Sequence, residues 1–80
     1  MFGEELQRIR MSRGISQSDL AEKFGYTYQF ISNWERGESF PPSKCFDELM
    51  KYLEIGEEEA DRLRKLYVKD KVDKYKEKIG

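Results

Sequence analysis

The chain has no histidine, one cysteine, two prolines, and no apolar run approaching the roughly 20 residues that a bilayer-spanning helix needs. Without histidine the commonest general base is missing. With Cys45 as the sole thiol there is no internal disulfide and no thiol–imidazole pair to hold a metal or act as a nucleophile. A glycine-rich phosphate loop and a carboxylate cluster are also absent from the sequence. No catalytic residues, metal, cofactor or small-molecule ligand are therefore expected, and Cys45 reads as a small buried apolar residue of a helix. Glu4 and Glu5 stand where a secretory leader would carry positive charge, so no membrane partner and a cytoplasmic location are expected.

What the chain does have is charge and aromatic area. Charged residues make up 39% of the 80, aromatics 14%, and the mean hydropathy is -0.89. The aromatics supply much of the area to be buried while most of the remainder faces water. Eighty residues suit one all-helical domain with short connections, with no room for a second. The 15 basic residues against 16 acids give a net charge of -1. Residues 1–38 hold five basic groups (Arg8, Arg10, Arg13, Lys23, Arg36) and six acids, whereas residues 69–80 hold five lysines and three acids. Basic charge is concentrated late.

The informative segment is Gly14 to Gly37, GISQSDLAEKFGYTYQFISNWERG. Ser16 is placed to cap a helix, with Asp19 three residues on returning the bond in a short-armed capping box. Leu20, Ala21 and Phe24 share a face, and the small Ala21 lets another helix cross closely. Gly25 ends that helix in a left-handed conformation. Thr27 caps the next helix, whose Ile31 and Trp34 point back at Leu20 and Phe24, and Gly37 closes it. This is the layout of a helix-turn-helix.

Around this unit, helix one is expected from about Glu4 to Arg13, with Leu6, Ile9 and Phe2 as its stripe and Gly14 as its stop. Pro41 and Pro42 exclude helix just before them. Helix four then starts near Ser43, buries Phe46, Leu49, Met50 and Leu53, and ends at Gly56. Helix five opens with Glu57, Glu58 and Glu59, favoured by the positive end of its dipole, and runs to about Lys78. Its Ala60, Leu63, Leu66 and Tyr67 close the core. Val68, Val72, Tyr75 and Ile79 then recur at heptad spacing on a shifted face. Such a helix would be roughly 33 Å long at about 1.5 Å per residue. Residues 1–67 are taken as the domain, and 68–80 as a dimerisation arm or a lysine-rich tail.

Over residues 4–55 the order of elements and the segment ISQSDLAEKFGYTYQFISNWERG resemble the lambdoid phage repressor and Cro family, also called the Xre family. The resemblance implies a compact all-α, five-helix repressor-type domain binding double-stranded operator DNA in the major groove. It implies that the matching positions Tyr28, Gln29, Ser32 and Asn33 face the groove. Tyr28 departs from the small polar residue or glutamine often found there. A carboxamide such as that of Gln29 or Asn33 can accept from adenine N6 and donate to N7 at once. Contacts to the DNA backbone are expected from Gln17, Thr27, Arg36, Ser39, Ser43 and Lys44, beside helix starts. The family often pairs an arginine of helix one with a glutamate near the end of helix three, positions filled by Arg10 and Glu35.

One copy reads only a half-site, so a homodimer on a two-fold operator is expected, acting as an autoregulatory repressor. The alternatives are a protein-interaction module, a restriction-modification controller or an antitoxin using the same fold.

Overall fold

The helix ends follow from the residues that flank them. The computed structural model describes the backbone of residues 1–79 and the side chains of residues 1–76. It consists of α1 (Phe2–Ser12), α2 (Gln17–Phe24), α3 (Tyr28–Arg36), α4 (Ser43–Tyr52) and α5 (Glu57–Ile79), with no strand among the described residues. At α2, Ser16 Oγ accepts from the Asp19 N–H and Asp19 Oδ2 accepts from the Ser16 N–H, both at 2.9 Å. The Ser16 N–H, donating to it, holds the Asp19 carboxyl below its ordinary range. Gly25 stands at φ 74°, and beyond it the Tyr26 N–H reaches back to Ala21 O at 2.8 Å. That left-handed residue turns the chain sharply into α3.

Two helix limits differ from the sequence expectation. Helix one begins at Phe2, not near Glu4, because its first turn is held by a distant residue: Asp70 Oδ2, on α5, accepts from the Phe2 N–H at 2.8 Å. The same turn lies directly on the end of α3. A Cβ at Gly3 would come within 2.5 Å of Glu35 O and 2.6 Å of Trp34 O. The positive end of one helix dipole thus meets the negative end of another, at a separation only glycine permits.

Helix four ends at Tyr52 rather than Gly56. The chain turns instead at Glu54, which takes φ 55°, and the Ile55 N–H closes onto Met50 O at 3.0 Å in the pattern of a Schellman motif. Arg13 supplies what the cap lacks, donating from Nε to Leu53 O at 2.9 Å and from Nη2 to Glu54 O at 3.4 Å. These end carbonyls are satisfied by an arginine forty residues away.

The core draws on every helix. Phe2, Leu6, Ile9, Leu20, Ala21, Ile31, Trp34, Phe46, Leu49, Leu53 and Leu63 are all buried, joined by Cys45, Met50 and Tyr67. Burial raises the Cys45 thiol above its ordinary pKa and keeps it neutral. Phe24, expected in the core, is half-buried at its edge, its ring 5.8 Å from that of Tyr52. Tyr67 joins three layers: its ring stands 5.3 Å from Phe2 and 4.8 Å from Phe46, and its hydroxyl donates to Pro41 O. The bond at Asp70 carries the tie between α5 and the body three residues beyond Tyr67. Among the described residues no helix is long and apolar enough to cross a membrane.

Candidate nucleic-acid interface

Helix α3 is fixed from below by aromatic packing and a buried ion pair, which leaves its outer face, with Tyr28, Gln29 and Arg36, exposed. Thr27 Oγ1 caps it, accepting from the Phe30 N–H at 3.2 Å. Tyr26, Phe30 and Trp34 form an edge-to-face triangle with centroids 5.0, 5.2 and 5.7 Å apart. Tyr26 does more than carry the chain between helices: it braces one flank of α3. Its spacing of four and eight residues from Phe30 and Trp34 is the signal that would have found it.

Beneath the helix, Arg10 grips Glu35 in a two-pronged contact, Nε to Oε2 at 2.6 Å and Nη2 to Oε1 at 3.0 Å. Only 7% of Arg10 and 5% of Glu35 is exposed. Arg10 Nη1 also donates to Ile15 O at 2.8 Å, and Gln17 Nε2 donates to Glu35 Oε1 at 3.0 Å. The cluster therefore ties α1, the α1–α2 turn and α2 to the end of α3. A bidentate arginine sets orientation as well as distance, so the pair fixes the angle at which α3 is presented.

On the outer face, Gln29, Asn33 and Arg36 lie in one row with three- and four-residue spacing. Gln29 Nε2 donates to Asn33 Oδ1 at 3.2 Å and Arg36 Nη2 donates to the same oxygen at 2.6 Å. A carbonyl oxygen has two lone pairs, and both are engaged here. As placed, Asn33 offers only its NH2 group outward, whereas Gln29 keeps its Oε1 and one N–H. Gln29 alone can meet adenine with the paired donor and acceptor; Asn33 and Arg36 offer donors, suited to guanine O6 and N7 or thymine O4. Tyr28 is 57% exposed at the start of the helix, and Ser32 is half-buried. An open groove lined by Gly25, Tyr26, Thr27, Gln29, Phe30 and Asn33 runs beside this row.

The residues expected at the DNA backbone are placed unevenly. Arg36, Ser43 and Lys44 are exposed. Pro42 stands at the N-cap of α4 and offers no side-chain cap; the Cys45 N–H closes onto Pro42 O at 2.9 Å, and the Ser43 and Lys44 N–H groups that precede it suit a phosphate oxygen. Thr27 is exposed beside its capping bond. Gln17 is half-buried, with one amide hydrogen committed to Glu35. Ser39 is turned inward: its Oγ is buried and makes no hydrogen bond within the protein, while its N–H donates to Asn33 O at 3.3 Å. Val68, Val72 and Tyr75 are exposed on α5, and the Ile79 side chain lies outside the described residues.

A capped helix, a glycine turn and a second helix braced for presentation define a helix-turn-helix domain of the repressor type. The profile of the family described as Helix-turn-helix matches residues 6–59, and the chain belongs to this Xre-type family. It is similar to YonR, an SPbeta prophage-derived uncharacterized HTH-type transcriptional regulator of Bacillus subtilis (strain 168), at 36% identity over 55 residues, which is 69% of this chain and 51% of that protein. It is also similar to the HTH-type transcriptional activator BcrR of Enterococcus faecalis, at 30% identity over 54 residues, 68% of this chain and 26% of that protein. The match thus spans about half of one relative and a quarter of the other. No solved structure matches the chain significantly.

Proposed function

We propose that the chain is a sequence-specific DNA-binding regulator of transcription that inserts α3 into the major groove. The row of Gln29, Asn33 and Arg36 on a helix locked from beneath carries this reading. Gln29 reads adenine, Asn33 and Arg36 offer donors to neighbouring base edges, and Tyr28 lies against a thymine methyl or a phosphate. Thr27, Ser43, Lys44 and the open amides of α4 hold the duplex backbone and set register. Two copies occupy half-sites about 34 Å apart on one face of the duplex. The similarity to named transcriptional regulators supports the regulatory role. Repression of its own promoter is the simplest mode, because a bound pair needs only to occupy the site that polymerase requires.

Selection of duplexes from a random pool tests the proposal. Recovered sequences should converge on a two-fold pattern. The slope of log affinity against log salt should be shallower than the value of about -10 for a large repressor, since few cations accompany the reading face. A pool that fails to converge, with all duplexes bound alike, would remove sequence recognition from the account.

A further inference from the structure

The second half of α5 carries a surface that DNA reading does not use. Val68, Val72 and Tyr75 are 53%, 45% and 65% exposed on a helix whose other side is tied to the body at Tyr67 and Asp70. Their spacing of four and three, continued in sequence by Ile79, is that of a coiled-coil seam, with Val68 and Tyr75 at d and Val72 at a. The positions flanking the seam, e and g, are Lys69, Lys71, Lys76 and Lys78. Asp70, Asp73 and Glu77 take f, b and f; Asp73 reaches the e-position Lys69, Oδ2 to Nζ at 3.6 Å, and Lys71 Nζ lies 4.8 Å from the centre of the Tyr67 ring, but the Lys69–Asp73 pair is exposed and such a pair offsets under about 1 kcal/mol, so the flanks stay net positive.

This pattern determines which helix can pair with the seam. In a parallel pair each g position meets an e position of the partner; in an antiparallel pair e meets e and g meets g. For two copies of α5 every such contact sets lysine against lysine, whichever way the helices run. Like charges at these positions oppose pairing. Spacing alone suggested self-association, but the flanks argue against it. A membrane surface is also a poorer match, because an interfacial helix presents a broad apolar face and this strip is only a narrow seam.

We propose that the α5 seam docks an amphipathic helix of a partner protein whose own flanking positions are acidic. Glutamates at e and g of that helix would meet Lys69, Lys71 and Lys76 while its apolar seam covers Val68, Val72 and Tyr75. The proposal goes beyond DNA recognition: it places a second, protein-binding surface on α5 and provides a route by which a partner controls the regulator.

The test uses the full chain, labelled with 15N, and two synthetic 21-residue helical peptides. Both carry leucine at a and d; one has glutamate at every e and g, the other lysine. The glutamate peptide should shift amide resonances around residues 65–76 and bind about tenfold more tightly at low salt, the combined effect of three opposite-charge contacts replacing three like-charge ones. Raising the salt should narrow the difference. Val72→Lys, at an exposed site that leaves the fold intact, should abolish the shifts. Equal binding of both peptides, or of neither, would overturn the proposal. So would a free protein that sediments as a dimer lost on Val72→Lys, which would assign the seam to a second copy. A drop in operator affinity on Lys71→Glu and Lys76→Glu without peptide binding would assign the lysines to phosphates, and binding to phosphatidylglycerol vesicles in place of the peptide would assign the seam to a membrane. Because peptide binding is read without DNA, its failure is distinguishable from failure of the DNA-binding proposal.

Discussion

Removing Arg10 should loosen α3 before it unfolds the protein, and the size of the effect follows from the burial of its partner. Glu35 accepts two bonds from Arg10 and one from Gln17. In Arg10→Met the glutamate keeps only the Gln17 amide, and its charge stays buried without a counter-charge. Breaking a buried pair from one side costs about 3 to 5 kcal/mol, against under about 1 for an exposed pair. A domain of this length has a total stability of about 4 to 12 kcal/mol, so the variant should sit close to its unfolding threshold. At about 4 to 8 °C per kcal/mol its melting temperature should fall by at least about 12 °C. Arg10→Met combined with Glu35→Leu should recover much of the loss, because the apolar pair leaves no orphaned charge. Trp34, the sole tryptophan and fully buried beside the pair, gives the fluorescence signal for urea titrations of all four members of the cycle. Coupling below about 0.5 kcal/mol, the range of additive independent sites, would refute the reasoning.

The remaining predictions concern helix ends. Gly3→Ala should destabilise the protein by about 1 to 3 kcal/mol, since the new Cβ would meet the carbonyl oxygens of Trp34 and Glu35 at 2.6 and 2.5 Å; an unchanged urea midpoint would show that α1 can lift away freely. Glu54→Gly should raise stability by about 1 kcal/mol by relieving a left-handed glutamate at φ 55°, and a lower midpoint would contradict this. The folded-state pKa of Asp19 lies below its unfolded value, so its contribution is fully present above the ordinary carboxylate range and is lost as pH falls through the folded pKa. The stability advantage of wild type over Asp19→Asn should therefore shrink on acidification below about pH 4, and an advantage that grew there would reverse the assignment.

What could be read from the sequence was local. The Ser16–Asp19 box, Gly25, Thr27 and Gly37 act within a few residues of one another, and each stands where its spacing placed it. The apolar stripes likewise marked the core, since helical periodicity is a short-range signal. What escaped were contacts across the fold. Asp70 caps Phe2 from 68 positions away, and Arg13 caps α4 from 40 away. No signal in the sequence around Gly3 marks it, although its missing side chain permits the α1–α3 contact. Glu54 displaced the expected stop at Gly56 because Arg13 satisfies the carbonyls there, a compensation invisible within the segment. At the reading face, residue types suggested equal roles for Gln29 and Asn33. The bonds that Gln29 and Arg36 donate to Asn33 Oδ1 separate them.

The measurement that bears most directly on α3 as the reading element compares Gln29→Ala with wild type on the selected duplex and on random duplex of equal length, at one fixed salt concentration. Affinity for the selected duplex should fall by about 1 to 3 kcal/mol while affinity for random duplex stays unchanged, the pattern that a residue proposed to meet a base edge and not a phosphate must give. Equal losses on both duplexes would place Gln29 on the backbone, and no loss on either would contradict base reading by Gln29, the residue on which the proposed use of α3 rests.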